Sequence, residues 1–221
     1  IGGTLARRLV ALGHTVTIAN SRGPQTLAAL AAQSGAHAAT VADAVKDAEL
    51  IVVTIPEKNI PALGSAPFAH VPPGVVIVDT GNYYPRERDG RIAAIEDGTP
   101  ESVWMSRHIG RPVIKAFNNI YAKHLLENGR PAGTAGRIAL PVAGDDAHAK
   151  KVVMALVDAL GFDPVDAGML ADSWRQQPGT PVYCADLDAA GVRHALAQAR
   201  PERTPQWTAS DKSPGPFENP A

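Results

Sequence analysis

The sequence predicts an α/β fold built on a doubly wound parallel sheet. Short runs of branched apolar residues alternate with Ala-rich stretches of helical periodicity, which is the pattern of a parallel sheet covered by helices. Two of these runs, Leu50 to Ile55 and Val75 to Val78, are apolar on both faces, as expected for strands in the middle of such a sheet. The longest helical stretch, residues 146–160, is amphipathic and is followed by Gly161, a frequent residue at helix ends.

The first predicted elements are short and separated by turn residues. Helix 4–12 has leucines at helical spacing and ends before Gly13. The β-branched run 15–19 predicts a strand, and Pro24 favours the start of an Ala-rich helix at 25–34. This part of the chain is completed by a weak strand at 36–40, a short helix at 41–48 and the strand at 50–55, which ends at Pro56.

The pattern becomes less regular after strand 75–78. Residues 83–108 are polar and predict irregular structure, with one helical turn at 92–97. Beyond this region the apolar runs predict strands and the amphipathic stretches predict helices. These elements are strands 113–117, 139–143 and 163–167, helix 146–160 and helix 189–199.

Composition and charge exclude several classes of protein. Lys plus Arg count 21 and Asp plus Glu count 22. The sequence therefore has no excess of positive charge that would attract a nucleic acid or a membrane surface. The single cysteine, Cys184, excludes an internal disulfide and fits a reducing compartment, so we expect a cytoplasmic protein. No apolar run approaches the roughly 18 residues of a spanning helix. The seven histidines lack metal-ligand spacing, so we expect no metal site.

The glycine pair at the start of the chain suggests a phosphate-binding turn. Gly2 and Gly3 open the first helix, where backbone N–H groups and the helix dipole favour an anion such as the pyrophosphate of a dinucleotide. Asn20 ends the following strand 18 residues later, at the position that contacts the adenosine ribose in dinucleotide-binding folds. A helix N-terminus with spare glycines is the alternative that this pair alone leaves open.

The residues after that strand favour NADP over NAD. An NAD site places Asp or Glu there, because a carboxylate accepts hydrogen bonds from the ribose hydroxyls and repels a phosphate. This chain has Asn20-Ser21-Arg22 instead. The hydroxyl of Ser21 and the guanidinium of Arg22 are suited to a dianionic phosphate, although the same residues also occur in solvated turns.

A third candidate segment follows the apolar strand at 50–55. Thr54, Ile55, Pro56 and Asn59 stand at the carboxyl end of this strand, the edge at which ligands bind in doubly wound sheets. We interpret these four residues as neighbours of a dinucleotide. The alternative is a proline that only terminates a strand.

These residues resemble the NADPH-dependent oxidoreductases that reduce the deazaflavin coenzyme F420, whose fold is shared with the reductase domains of STEAP metalloreductases. The resemblance spans residues 1–175. It rests on Ile1-Gly2-Gly3, Ser21-Arg22, Thr54-Ile55-Pro56, the run 113–120 (VIKAFNNI) and the run 141–154, which continues to Gly161 and Asp166-Ala167-Gly168. The resemblance implies a Rossmann-type domain that binds NADP(H) and transfers hydride directly to a flavin or deazaflavin ring, without a catalytic acid or base.

The resemblance also implies roles for individual residues. Gly2 and Gly3 would lie at the pyrophosphate and Ser21 and Arg22 at the 2′-phosphate. The residues that would lie along the ribose and nicotinamide are Thr54, Ile55, Pro56 and Asn59, with Ala116, Phe117 and Asn118 beneath the ring. The implied organisation is an NADP-binding Rossmann-type domain at 1–170, with its first strand before residue 1, then a C-terminal helical segment at 171–200 and a surface tail at 201–221.

Two segments depart from the deazaflavin reductases and leave the acceptor open. They are 79–112 and 172–184, which carry the aromatic residues most suited to stack on a flat acceptor: Tyr83, Tyr84, Trp104 and Trp174. The equal alternative is that these four residues belong to the core or to a dimer contact. Two other functions therefore stay open, a reductase of a small imine or carbonyl and a non-catalytic NADPH-binding sensor. Lys115 could donate a proton to an imine or carbonyl, but a bond to a phosphate or a neighbouring carbonyl is the more ordinary role. We expect a small-molecule electron acceptor as partner, and a homodimer is compatible with the sequence.

Overall fold

A computed structural model describes residues 1–211 of the 221-residue chain. Seven strands are assigned within this range: β1 (Thr17–Ile18), β2 (His37–Ala38), β3 (Leu50–Val53), β4 (Val76–Asp79), β5 (Ile114–Lys115), β6 (Ala139–Val142) and β7 (Asp163–Asp166). The α-helices there are α1 (Gly2–Ala11), α2 (Ala28–Ser34), α3 (Val41–Val45), α4 (Ile60–Leu63), α5 (Ala93–Glu96), α6 (Glu101–Ile109), α7 (Ala122–Glu127), α8 (Ala147–Ala159) and α9 (Ala189–Gln198). Short 3₁₀ turns lie at 24–27, 57–59, 66–68, 170–176 and 205–207, with a π turn at 85–89.

The strands pair in parallel, as the sequence predicts. β1 pairs with β2, β3 with β4 and β4 with β5, and β6 pairs with β7. An antiparallel bridge between Lys115 and Ala143 connects β5 to the end of β6. The prediction of a doubly wound α/β fold is confirmed.

The central strands bury both faces against different helices. Val76 and Val78 of β4 belong to a core that includes residues of α1, α7 and α8. Ile77, between them in the strand, belongs to a second core with residues of α4 and α6. Because successive side chains of a strand point to opposite faces, β4 must be apolar throughout to fill both cores.

Helix α8 begins after a side-chain cap, Asp146. The carboxylate of Asp146 accepts a hydrogen bond from the backbone N–H of Ala149 at 2.8 Å, which satisfies one of the free donors at the helix start. The carboxylate of Asp145 instead accepts from the backbone N–H of Leu170 at 2.9 Å and so holds the chain after β7. Asp146 therefore caps α8, and Asp145 holds the segment that follows β7.

The expectation that 83–108 is irregular is wrong at α6. This helix begins after Pro100 and ends at Gly110, which takes the left-handed conformation with φ of 66°. Its first two residues, Glu101 and Ser102, are polar but fully buried. The burial of polar residues at the start of the helix hides its amphipathic pattern from the sequence.

The C-terminal part of the chain contacts the core after α9. Arg203 donates a hydrogen bond to the buried Glu101 at 2.6 Å, and the ring of Trp207 lies 5.8 Å from that of Tyr84. Residues 203–209 thus lie on the surface with two side chains directed inward. The predicted surface tail extends to residue 221, and its residues 212–221 lie outside the described part. No helix within 1–211 has the length and apolarity needed to cross a membrane.

Candidate functional site

The start of α1 meets the carboxyl end of β3. A Cβ placed on Gly2 would lie 2.3 Å from Oγ1 of Thr54, closer than any van der Waals contact allows. The structure therefore brings together two of the segments that the sequence predicts as cofactor-binding. Thr54 is exposed beside this helix N-terminus, and Gly3 packs on Leu30 of α2. The close approach of helix and strand requires glycine at position 2 and leaves backbone donors uncovered by a side chain.

The loop after β1 is organised by Asn20. Its side-chain oxygen accepts a hydrogen bond from the backbone N–H of Arg22 at 2.9 Å, and its amide nitrogen donates to Oγ1 of Thr26 at 2.9 Å. This short turn leaves the side chains of Ser21 and Arg22 exposed. Neither side chain forms a hydrogen bond or an ion pair with another residue of the described range 1–211. Asn20 thus positions Ser21 and Arg22, which the sequence assigns to a phosphate. Both polar atoms of its own side chain are used in these hydrogen bonds.

The segment after Thr54 is partly buried. Ile55, Pro56 and Asn59 are each intermediate in exposure, so parts of all three remain accessible. Glu57 lies between them in the chain but is only 1% exposed. This segment therefore presents Thr54, Ile55, Pro56 and Asn59 outward while one carboxyl group points into the protein.

The predicted neighbours of the nicotinamide ring are buried. Ala116 and Phe117 are fully buried, and Asn118 is 2% exposed. The side chain of Asn118 donates to Oδ1 of Asn82 at 3.0 Å and to the carbonyl of Gln176 at 2.7 Å, and it accepts from the Gln176 amide at 2.9 Å. Phe117 has a positive φ of 61°, which is rare for a bulky residue and turns the chain at the end of β5. The structure thus places 116–118 under other groups and not at an open surface.

Lys115 lies at the centre of a buried charged cluster at the carboxyl ends of β4 and β5. Its ammonium group donates to the carbonyl of Gly81 at 2.6 Å and to the carboxylate of Asp79 at 3.2 Å, and it lies 3.9 Å from the carboxylate of Glu101. Ser102 also donates to Asp79, at 2.7 Å. Burial by itself lowers the pKa of Lys115, but the surrounding carboxylates outweigh it and the pKa lies above its ordinary value. The bond to a neighbouring carbonyl is the ordinary role that the sequence favours for this lysine.

Glu57 is the unpaired member of this cluster. Both of its carboxylate oxygens are buried without a hydrogen-bond partner among the described residues. One of them is so close to Gly81 that a Cβ there would lie 2.3 Å away. Burial, with a further contribution from the charge of Asp79, raises the pKa of Glu57 well above its ordinary value, although Lys115 opposes the shift. A neutral, protonated carboxyl group is the form that this environment favours.

The raised pKa predicts that Glu57→Gln gains stability relative to the parent as pH rises. Unfolded Glu57 loses its proton near the ordinary value of 4.5, whereas the folded protein holds it to higher pH. The free energy of unfolding of the parent therefore falls from that pH upward until the folded carboxyl ionises, and the variant avoids this loss. Urea denaturation of both proteins at about pH 5 and about pH 8 measures the difference. An equal difference at both pH values would show that Glu57 does not titrate in this way; Glu49→Gln, at an exposed position, is the control.

The aromatic residues proposed as stacking candidates are mostly engaged within the protein. Tyr83 is fully buried, and its hydroxyl contacts Glu96 and the carbonyl of Gly90, each at 2.9 Å. Trp104 is 6% exposed and packs on the ring of His108. The hydroxyl of Tyr84 bonds to that of Tyr183. Neither Tyr83 nor Trp104 is therefore placed to stack on an acceptor.

Trp174 differs from the other candidates because it lines an open pocket. The pocket has a volume of about 520 Å³ and lies between the chain segments 174–181 and 198–204. Trp174 is half-buried there, with the guanidinium of Arg175 4.4 Å from its ring. This is the aromatic residue that a small planar molecule could reach.

Three residues of the buried cluster were not predicted from the sequence: Glu57, Glu101 and Arg203. Glu57 directly follows Pro56, and a charged residue after a strand ordinarily lies in solvent. Glu101 and Arg203 are 102 positions apart in the chain, so no local pattern links them. The one usable signal was the position of Lys115 inside an apolar strand, because a buried ammonium group requires buried acceptors nearby.

The comparison with known proteins gives a family match for the first part of the chain. Residues 1–83 match the family model described as "NADP oxidoreductase coenzyme F420-dependent". The resemblance seen in the sequence is confirmed. The matched range contains Gly2, the turn after β1 and the segment after β3, which are the segments described above as accessible.

The curated proteins that are similar to this chain include one from a bacterium and one from the rat. Protein YjhV of Escherichia coli (strain K12) is 51% identical over 77 residues, which are 34% of this chain and 56% of that protein. Metalloreductase STEAP3 of Rattus norvegicus is 30% identical over 171 residues, which are 77% of this chain and 32% of that protein. The chain thus spans about half the length of the first of these relatives and a third of the second.

Two solved structures extend the similarity to most of the fold. Protein SMa0349 of Sinorhizobium meliloti is 29% identical with a TM-score of 0.72, and the match covers 85% of this chain and 90% of that one. A protein of Arthrobacter sp. FB24, assigned as an F420-dependent NADP reductase, is 27% identical with a TM-score of 0.64 and coverage of 78% and 82%. The Rossmann-type fold is therefore shared with a chain assigned to NADP-dependent reduction.

Proposed function

We propose that this protein is an NADP(H)-dependent oxidoreductase that transfers hydride between NADPH and a flavin or deazaflavin acceptor. The observation that carries this proposal is the contact between Gly2 at the start of α1 and Thr54 at the end of β3. It joins a helix N-terminus free of side chains to the ligand-binding edge of the sheet. The family model that matches residues 1–83 supports NADP as the dinucleotide.

The residues present fit NADP(H). Backbone donors at Gly2 and Gly3 would hold the pyrophosphate, and the exposed Ser21 and Arg22 would hold the 2′-phosphate. Thr54, with the accessible parts of the segment that follows it, would lie along the ribose. When bound, the dinucleotide supplies a hydride at its nicotinamide ring, and the protein supplies binding and orientation.

The specificity for NADP predicts a selective effect of Arg22→Gln. Loss of the guanidinium removes a charge-assisted bond to the 2′-phosphate, so the Kd for NADPH should rise about 10- to 100-fold. The Kd for NADH should stay within about twofold, because NADH lacks that phosphate. Titration calorimetry with both dinucleotides measures the two values. Arg107→Gln, which changes an exposed arginine on α6, is the matched control, and equal loss for both dinucleotides would contradict the assigned role of Arg22.

An anaerobic mixing experiment tests the reaction itself. NADPH is mixed with the protein and coenzyme F420, FMN or no acceptor, and the absorbance of the reduced nicotinamide is followed. Oxidation with one acceptor supports the proposal and identifies that acceptor. Tight NADPH binding without oxidation in any mixture would overturn it.

A non-catalytic NADPH sensor is the second candidate. It is favoured by the burial of Ala116, Phe117 and Asn118, which leaves no open surface at the positions assigned to the nicotinamide ring. Under this proposal NADPH binds and is not consumed, and the mixing experiment above separates the two functions. The cytoplasmic location, the homodimer and the domain boundaries remain predictions from the sequence.

A further inference from the structure

The pocket beside Trp174 lies in the part of the chain that the family model does not match. Its walls come from the segment after the 3₁₀ turn at 170–176 and from the chain that leaves α9. The lining includes Trp174, Gln177, Pro178, Arg200, Glu202 and Arg203. The volume of about 520 Å³ lies within the range typical of small-molecule sites.

The lining of this pocket favours an anion. Arg200 is exposed and forms no hydrogen bond or ion pair with another residue of 1–211, so its charge is available to a ligand. Two buried nitrogen atoms of the lining, Nη1 of Arg203 and Nε2 of Gln177, have no hydrogen-bond partner among residues 1–211. Buried donors of this kind require an acceptor. Glu202 is the single carboxylate of the lining, and Arg203 is paired with Glu101, so Arg200 is the cation of the lining that is available to a ligand.

The aromatic and proline side of the pocket suits a ring or carbon chain. Trp174 presents its indole there, and Pro178, Pro181 and Pro201 add rigid apolar surface. Gly179 packs against Trp207, since a Cβ at this position would lie 2.5 Å from the indole ring. The C-terminal turn at 205–207 thus supports this wall from outside.

The pocket is connected to the candidate cofactor site through adjacent residues. Gln177 lines the pocket, and the preceding Gln176 exchanges hydrogen bonds with Asn118, which the sequence assigns to the nicotinamide. Arg203 reaches from the pocket to Glu101 of the buried cluster at 2.6 Å. The pocket wall is therefore linked by hydrogen bonds of neighbouring side chains to the residues assigned to the nicotinamide.

We propose that this pocket binds the phosphate-bearing end of the electron acceptor, with Arg200 as the residue that recognises the phosphate. This inference rests on the proposed function, because it assigns a position to the acceptor of that reaction. Glu202 acts in the opposite direction, since its carboxylate repels the same phosphate. The two residues are neighbours in the lining and have opposite predicted effects.

The test compares FMN with riboflavin, which has the same ring and no phosphate. Binding is measured by quenching of flavin fluorescence in the absence of NADPH, on the full chain and on three single variants. For the parent protein we expect FMN to bind about tenfold more tightly than riboflavin. Arg200→Gln should bring this ratio close to one without changing the Kd for riboflavin, and Glu202→Gln should increase it. Arg193→Gln, an exposed arginine on α9 outside the pocket, should leave the ratio unchanged.

The outcomes separate this proposal from the proposed function. Equal affinity for FMN and riboflavin, or a ratio that Arg200→Gln leaves unchanged, overturns the pocket assignment even if NADPH is oxidised by FMN. A ratio that falls in Arg200→Gln and rises in Glu202→Gln supports it even if no NADPH is consumed, in which case hydride transfer is the part that fails. Inorganic phosphate as competitor provides a second measurement: it should weaken FMN binding and leave riboflavin binding unchanged.

Discussion

Lys115→Met should lower the free energy of unfolding by about 3 to 5 kcal/mol, the usual cost when one partner of a buried ion pair is removed. Lys115 is fully buried, and its ammonium group contacts Asp79 and lies near Glu101, whose side chains are 2% and 0% exposed. Methionine has a similar length but no charge, so Asp79 loses its counter-ion and Glu101 keeps only Arg203, in a region that water does not reach. Urea denaturation monitored by circular dichroism measures the change.

A control and a compensating variant make this result specific. Lys151→Met changes an exposed lysine on α8 and should alter the free energy of unfolding by less than about 0.5 kcal/mol. Combining Lys115→Met with Asp79→Asn removes one of the stranded charges and should recover part of the loss. If Lys115→Met proves no less stable than Lys151→Met, the cluster does not depend on the ammonium charge. If it does not fold at all, the double variant still reports on the cluster.

The strands and long helices could be predicted because their patterns are local. The run at 50–55 is apolar at every position except Thr54, and β3 occupies Leu50–Val53 of it. Helix α8 was expected at 146–160 and spans Ala147–Ala159. In both elements the side chains that pack against the core follow one another at a fixed period, so the sequence alone contains the information.

The buried cluster could not be predicted because its parts come from distant segments. Glu57, Asp79, Glu101 and Arg203 look like surface residues when each is considered alone. Glu57, Asp79 and Glu101 become buried because β4 and β5 end side by side and the start of α6 covers that edge, where the partly exposed Arg203 also reaches Glu101. Their burial is a property of the topology, and no window of the sequence contains it.

The residues of the candidate site show the same difference between features that are visible locally and features that depend on the topology. The accessible residues Gly2, Ser21, Arg22 and Thr54 lie in turns that follow single strands or begin a helix, and such turns can be identified by their position in a βαβ pattern. Phe117 has a positive φ and is buried in the core with residues of α1, α7 and α8, and neither feature is visible locally. The sequence therefore predicts the accessible positions of the proposed phosphate-binding end, but it does not predict the burial found at the proposed nicotinamide end.

Gly2→Ala should raise the Kd for NADPH by about 100-fold, equivalent to roughly 3 kcal/mol of binding free energy. The added methyl group would lie 2.3 Å from Oγ1 and 3.3 Å from Cβ of Thr54, so either the threonine or the first turn of α1 must move. Movement of that turn displaces the backbone donors assigned to the pyrophosphate. Alanine is a better helix former than glycine, and this preference offsets part of the cost of the clash in the free energy of unfolding.

Two further variants identify the cause of this effect. Gly74→Ala adds the same methyl group where nothing lies within 4 Å, and it should leave NADPH binding unchanged. Gly2→Ala combined with Thr54→Ala removes the atom that the methyl group meets, so it should recover part of the affinity relative to Thr54→Ala alone. Thermal unfolding of each variant verifies that the fold is retained. If Gly2→Ala binds NADPH as tightly as Gly74→Ala does, the pyrophosphate does not lie at the start of α1, and the contact with Thr54 serves only to pack helix against strand.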